Sequence, residues 1–490
     1  QNEDTAHLPN LVDRRSFDDL LRGVMPLPKS PEDSAKAIET LPGFKVELMV
    51  NEPLVMDPVA FEWDEHGRLW VVEMADYPLG LDDNGKPGGR VRVLEDRNND
   101  GRYDHSTVFL DALPYPSGVI PWRDGVLVSA APNILFARDT NGDLRADETK
   151  ILFTGFVEGN QQHRMNGFEY GLDNWVYAAN GDSGGIIRSP VKDLSVNIRG
   201  RDFRFHPDTH AFETQAGQTQ FGRRRDDWGN WFGNNNPSIG WHYPFPEHYI
   251  RRNPQLASTR TRQILGNYEQ SHMIRSISRA VQRFNLVGTA NHITAANSPA
   301  PYRDELFEQA NGQSIFISAP AYNVVRREML TPDGLSFRSN RPEGANGQEF
   351  IASRDAWFRP TTLKTGPDGA LWIADFYRLV LEHPEWIPND VERKLELRAG
   401  SDRGRLYRVY PANKTPRPIP NLANKTVPEL VAALDSPSGW QRDTAQRLLV
   451  DRGNASAAPH LAKLLKNSQR PTTRLQSLCT LDGLKQIMPE

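Results

Sequence analysis

The sequence predicts an all-β fold, a six-bladed β-propeller, with a small C-terminal segment of α-helical, HEAT-like repeats. Three observations carry this. A short unit recurs along the chain: a turn with Asp-Gly or a near equivalent, then an alternating apolar strand. Its copies are Asp64-Glu-His-Gly67 before Arg68–Glu73, Trp122-Arg-Asp-Gly125 before Val126–Ser129, Tyr170-Gly-Leu-Asp-Asn174 before Trp175–Ala178, and Thr365-Gly-Pro-Asp-Gly369 before Ala370–Asp375. Gly after Asp tolerates positive φ, so the dipeptide is a hairpin signal, and short strands at such intervals fit blades that bury their faces against one another. The composition, with 37 Gly, 37 Pro and 11 Trp in 490 residues, suits a turn-rich β protein. After Pro411 the pattern changes from period two to helical spacing. Counting strands between Phe44 and Pro411 gives six blades, with five and seven as the neighbouring counts.

Taken in order, residues 1–43 read as an N-terminal arm with one short helix near Ser30–Leu41, where Pro31 suits the first turn. Residues 44–411 form the propeller. Phe44–Val50 alternates as its first strand, and Arg405–Tyr410 is a late strand expected to close the ring against the first blade. Residues 243–283 are too irregular for a hairpin loop and are expected to form an insertion over one face. Residues 412–426, rich in Pro, make a stiff linker. Residues 427–490 carry two helix pairs in which Leu434 and Leu465 lie 31 apart, the spacing of a solenoid repeat. Two repeats are few for independent stability, so they either dock on the propeller or continue into further chain.

Net charge is −4 and the pI is near 6.4, which leaves no basic footprint for nucleic acid or an anionic membrane. No apolar run reaches the ~18–20 residues of a membrane helix. Cys479 is the only cysteine, which excludes an intramolecular disulfide, a thiolate cluster and a Cys-x-x-Cys-His haem site. The chain starts at Gln1 without Met, so a leader is expected to have been removed.

Several stretches carry groups with chemistry. Asp96, Asn98, Asp100 and Asp104, with Gly101, match the first nine positions of a calcium loop, although Thr107 stands at position 12. Asp139, Asn141, Asp143 and Asp147 resemble it, with Leu144 where Gly belongs. Each is either a calcium loop or an Asx-rich turn. His163-Arg164-Met-Asn166 enters one copy of the blade unit, and Gly181-Asp182-Ser-Gly leaves it; the other copies lack these flanks. An imidazole titrating near neutrality suits proton abstraction, and Asp182 would orient or polarise it. Gly222–Pro237 is dense in Arg, Asp, Asn and Trp, so it either lines a wet cleft or pairs Arg223–Arg225 with Asp226–Asp227. His242, Tyr243, His292 and Tyr322 fall near blade rims. Arg359 and Lys364 bring cations to the last blade, where Lys364 reads as an exposed strand-edge charge.

Trp357-Phe-Arg-Pro360, Glu382-His-Pro-Glu-Trp-Ile387 and Asp402-Arg-Gly-Arg-Leu-Tyr-Arg408, with His163–Gly185 and Asp226–Asn230, resemble bacterial membrane-bound-dehydrogenase propellers, which commonly continue into helical repeats and a c-type haem domain. This resemblance implies an exported, periplasmic or secreted protein. More distantly the chain is similar to the soluble glucose and sorbosone dehydrogenases, six-bladed propellers that use pyrroloquinoline quinone (PQQ) with calcium. There a His precedes a Gly-rich strand and an Asp follows in a Gly-Asp-x-Gly turn; here these are His163 and Gly181-Asp182-Ser183-Gly184. That family's Arg-Asn-Pro-Gln cofactor loop is matched by Arg252-Asn253-Pro254-Gln255.

The resemblance implies a sugar dehydrogenase in which His163 removes a hydroxyl proton, Asp182 orients it, Arg252, Asn253 and Arg359 hold the quinone, and electrons leave to a c-type cytochrome. A polysaccharide lyase or hydrolase is a second expectation, with Arg225, Asn230 or Arg164 neutralising a uronate and His163 or His292 as base. A non-catalytic glycan-binding propeller is the third.

Overall fold

A computed structural model describes residues 26–253, 255, 261–266, 273–278, 292–307, 312–345 and 347–487. Six antiparallel sheets stand around one axis. Blade 1 comprises Pro58–Trp63, Leu69–Glu73, Gly89–Glu95 and His105–Leu113. Blade 2 comprises Gly118–Trp122, Gly125–Ala130, Asn133–Arg138 and Glu148–Phe156, extended by Gly185–Arg188 and Val196–Asn197. Blade 3 comprises Asn166–Tyr170, Val176–Ala179, Asp202–His206 and Ala211–Gln215, and blade 4 Arg224–Arg225, Trp231–Gly233, Trp241–Tyr243 and Gln263–Ile264. Blade 5 is built on Asn297–Pro301, Gln313–Ala319 and Val324–Asp333. Blade 6 comprises Pro360–Thr365, Leu371–Asp375, Arg405–Pro411 and, outermost, Phe44–Asn51.

The late strand therefore closes the ring within one sheet. Phe44 pairs with Pro411 and Asn51 with Arg405, so the start and end of the propeller share blade 6. The innermost strands of successive blades touch all the way round the axis.

The recurrent turn has a side-chain cause. In blade 1 the Asp64 carboxylate accepts from the His66 and Arg68 amides and from the Trp70 indole at 2.9 Å. In blade 6 Asp368 accepts from the Ala370 amide and the Trp372 indole at 3.0 Å. One carboxylate thus caps the turn and fixes the tryptophan of the next strand.

Two segments differ from expectation. Ile38–Thr40, inside the N-terminal arm, adds to blade 5 against Ile351–Ser353. Gln263–Ile264, inside the expected insertion, is the outer strand of blade 4; much of the rest of 243–283 lies outside the described residues. Beyond the linker, helices span Val427–Ala433, Gly439–Arg452, Ala458–Asn467 and Pro471–Gly483. They share a continuous apolar core with blades 1, 5 and 6. Among the described residues no helix is long and apolar enough to cross a membrane.

The helix Gly439–Arg452 covers one end of the axis. Arg303 donates to Asp227 at 2.7 Å and to Asp443 at 2.6 Å, while Arg225 donates to the other Asp443 oxygen at 2.7 Å. Arg442 pairs with Asp227 at 2.5 Å and Arg447 with Glu65 at 2.8 Å. The two flanking arginines hold the Asp443 carboxyl well below the usual carboxylate range despite its burial.

Candidate functional site

The opposite end of the axis opens into a cavity. Its wall is made by the innermost strands and the loops that lead into them. Gly167 lines the wall with φ of 69°, and a Cβ there would meet the Arg223 amide nitrogen at 2.9 Å, so only glycine lets blades 3 and 4 approach this closely.

Six carboxamides line the cavity: Gln161, Gln162, Asn166, Gln220, Asn236 and Asn297. Apolar surface comes from Phe61, Tyr77, Phe168, Phe221, Phe376 and Leu381. Arg224 and Lys364 are the formally charged residues of the described lining, and both are paired. Lys364 meets Glu62, with Glu169 at 3.9 Å, and Arg224 meets Glu169 at 3.3 Å. Lys364 is thus half-buried on the axis, not an exposed strand-edge charge, because blade 6 turns its inner strand toward the channel.

His163 is not itself part of the cavity lining; it stands half-buried next to the lining residues Gln161, Gln162 and Gln220, at the end of a single 3-10 turn, Gln161–His163, capped by the Asn160 side chain. Its Nε2 lies 2.7 Å from Gln220 Nε2. Burial is the main influence and depresses its pKa; Asp182 and Glu385 act against that. The imidazole is therefore neutral at pH 7, the form that accepts a proton.

The turn Gly181–Gly184 packs on the backbone of His163 and Arg164. A Cβ on Gly181 would run into both carbonyl groups, and Ser183 Oγ donates to the His163 carbonyl. The structure thus brings the two flanks of this blade unit together. The Asp182 carboxylate, however, turns outward and accepts from Gln218. It makes no hydrogen bond to His163; Gln220 takes the place expected for Asp182.

Arg164 is buried with its guanidinium 4.6 Å from the Tyr115 ring centre, and its Nε and Nη1 have no protein partner. Asn166 is spent on backbone, donating to the Arg164 and Gln220 carbonyls and accepting from the Gly222 amide at 2.8 Å. It ties the blade 3 entry to the blade 4 loop.

The remaining expected residues lie elsewhere. Arg225 belongs to the contact with the C-terminal helices, at the other end of the axis. Its neighbours Arg223 and Arg224 pair with Asp202 and Glu169, not with Asp226 or Asp227, because adjacent strand residues point to opposite faces. Asp226 caps its own turn through the Trp228 and Asn230 amides. His292 bridges Met273 outside the cavity wall. His242 binds Ser336 and Tyr243 binds Thr219, both as buried blade contacts.

The quinone assignments are corrected in the same way. Arg359 donates to the carbonyls of Arg378, Pro320 and Leu379, so it shapes loops of blades 5 and 6. Arg252 and Asn253 are exposed beyond the short helix Glu247–Ile250, which packs on the outer strand of blade 3. Pro254 lies outside the described residues. These groups do not gather at the cavity, and the cavity's own cations are already neutralised by glutamates. The residues present do not fit a carboxylate-bearing quinone there.

In the two acidic loops the carboxylates cap backbone amides. Asp96 accepts from Asp100 and Gly101, Asp100 from Arg102, and Asp104 from Arg97 and Asn98. Asp139 accepts from Asn141, Gly142 and Leu144, Asn141 from Asp143, Asp143 from Arg145, and Asp147 from Thr140. Among the described residues no group of three or more His, Cys, Asp or Glu is placed to hold a metal ion.

Five contributors escaped the sequence reading: Gln220, Gln161, Gln162 and Tyr77, which line the cavity, and His383, which contacts Gln161. Gln162 donates to Tyr77 Oη at 3.0 Å and to the Leu381 carbonyl at 2.9 Å, and His383 Nε2 lies 2.6 Å from Gln161 Oε1. The signal for His383 was present in Glu382-His-Pro-Glu-Trp-Ile387, and Gln161-Gln162 stand directly before His163.

Residues 30–413 match the family model described as "Domain of unknown function (DUF7133)", and the chain belongs to that family. No curated protein matches it. Among solved structures it is similar to a glucose dehydrogenase at 15% identity and TM-score 0.40, over 74% of this chain and 98% of that one. It is also similar to the PQQ domain of a pyranose dehydrogenase from Coprinopsis cinerea, at 13% identity and TM-score 0.41, over 79% and 98%. A soluble aldose sugar dehydrogenase from Escherichia coli, in its apo form, gives 13% identity and TM-score 0.40 over 75% and 99%.

Proposed function

We propose that the axial cavity binds a neutral saccharide and that this family member is a carbohydrate-active enzyme of oxidoreductase type, exported to the periplasm or beyond. The observation that supports it is the lining. Carboxamides donate and accept at once, as sugar hydroxyls do, and the apolar wall suits the C–H faces of a sugar ring. The two cations of the lining, Arg224 and Lys364, are internally paired, so an anionic ligand gains little from them, although Arg164 beside His163 keeps Nε and Nη1 without a partner among the described residues. That weighs against a uronate lyase, as does the commitment of Arg225 to the C-terminal helices. In this reading a ligand hydroxyl reaches the neutral His163, which takes its proton. The hydrogen on the same carbon leaves with its electron pair as hydride to a two-electron acceptor supplied from outside the chain, which a c-type cytochrome partner reoxidises one electron at a time; no step is routed through a resident quinone.

Dye reduction by the full chain across a panel of neutral sugars tests the reading, with and without added quinone and calcium. Turnover that disappears in His163→Ala is the expected result. Absence of dye reduction with every sugar, under both conditions, overturns oxidation. One observation favours a second reading, a non-catalytic glycan-binding propeller: Gln220 already occupies His163 Nε2. Sugar binding by calorimetry without turnover would select it.

A further inference from the structure

We infer that Gln220 is the positioning residue that decides which nitrogen of His163 meets a ligand hydroxyl. The inference rests on the saccharide reading for its meaning, but its geometry is independent of it. The Gln220 side chain is 2% exposed, and its orientation is fixed from the far side. Its Oε1 accepts from the Asn236 amide at 2.9 Å, and a backbone N–H can only donate. The atom facing His163 is therefore Nε2, which also only donates. His163 Nε2, 2.7 Å away, must carry the lone pair, and the ring proton sits on Nδ1. The backbone of Gln220 is held as well, since its N–H donates to Asn234 and its carbonyl accepts from Asn166.

The second imidazole of the mouth is set the other way. His383 Nδ1 accepts from the Glu385 amide at 3.3 Å, so its Nε2 carries the proton and donates to Gln161 Oε1. Of these two imidazoles His163 alone offers an acceptor at Nε2. A ligand hydroxyl reaches that lone pair by displacing the Gln220 N–H, and the half-buried His163 side chain, not the fixed Gln220, is the one that must give way; the O–H then donates to Nε2. The present contact holds that acceptor in place until the hydroxyl arrives. The charged or titratable neighbours that act on His163 are Asp182, Glu385 and His383.

Long-range proton–nitrogen NMR of the full chain labelled with 15N-histidine reads the tautomer directly, with His163→Asn assigning the signals. The expected result near pH 7.5 is the neutral Nδ1–H form for His163. Gln220→Glu presents an acceptor, so it should convert the ring to Nε2–H and move its apparent pKa upward. It should also lower sugar turnover at least tenfold near neutrality. An Nε2–H signal in the unmodified protein, which needs no variant to fold, overturns the inference. So does a folded Gln220→Glu protein with unchanged tautomer and pKa. If the expected tautomer is found and no sugar is oxidised, the positioning role stands and the oxidation reading falls.

Discussion

The base of the propeller axis is held by charge, whereas the mouth is held by amides and imidazoles. At the base, Asp443 and Asp227 are wedged among Arg225, Arg303 and Arg442, and a helix closes the opening. At the mouth, Gln161, Gln162 and Gln220 link His383, Tyr77 and His163 through single, mostly neutral hydrogen bonds. A buried pair is costly to break from one side, because the partner is stranded. A neutral hydrogen bond contributes about 1 kcal/mol and exchanges readily with a ligand or with water. The difference marks the base as scaffold and the mouth as the place where binding can happen.

The sharpest test removes the carboxylate at the base. Asp443→Ala would leave Arg225 and Arg303 buried without their shared partner, at a cost of about 3–5 kcal/mol. Chemical denaturation should show the loss, and limited proteolysis should release the helical segment first. A loss below about 1 kcal/mol would mean that the apolar interface, not the ion pairs, holds the helices.

Acid should separate the blades from the base next. Burial depresses the pKa of His163, His206, His242, His248 and His383, with His242 pushed down to about 4. A histidine whose folded pKa lies below its unfolded value contributes stability that is full above about pH 6.5 and falls as pH drops toward the folded value. For His242 alone that window, from about 6.5 to about 4, corresponds to about 3 kcal/mol. Asp443 has the same sign over a lower range, full above the unfolded carboxylate pKa near 3.9 and lost below it. The histidine contribution should therefore fall between pH 6.5 and 4, opposed over the same range by the buried Asp57 and Asp375 carboxyls, which burial pushes up to about 7, while the helical segment stays docked and separates only under stronger acid. Loss of the segment above pH 5 would contradict this order.

Tyr77→Phe sharpens the mouth itself. It removes the donor to the Leu381 carbonyl and the acceptor for Gln162, so about 1–2 kcal/mol should be lost. Sugar affinity should change by more than stability does, since the same groups border the cavity. Unchanged affinity would move the binding site away from this mouth.

The contrast also explains what could be read in the chain. The blades were legible because Asp64 and Asp368 each carry out one local task, capping a turn and holding the tryptophan a few residues on, and local tasks repeat in sequence. Ring closure was legible because Arg405–Tyr410 alternates by itself. The tail helices were legible from apolar spacing, and their docking partners were not, since Arg225 and Asp443 are 218 residues apart. Within the site, His163 and the Gly181–Ser183 turn come together as their flanking positions suggested. Gln220 could not be found, because it reaches His163 from the next blade's loop and no spacing rule links them. The family cofactor residues failed for a related reason. Arg359 and Arg252 matched in type, but their surroundings, three carbonyls for one and solvent for the other, are set by tertiary packing.

The smallest expected effect belongs to Asp182, which the sequence pairs with His163. Asp182 is exposed, its carboxylate accepts from Gln218, and its influence on His163 acts only through space. Asp182→Asn should change stability by no more than about 0.5 kcal/mol, as for surface substitutions generally. Because the carboxylate favours the charged imidazole, its removal should let the His163 pKa fall slightly further, extending turnover toward acid and leaving it nearly unchanged at pH 7.5. Gln220→Glu should move the same pKa the opposite way and by more. A tenfold loss of turnover in Asp182→Asn with the fold intact would reverse that ranking and make Asp182, rather than Gln220, the group that prepares the imidazole.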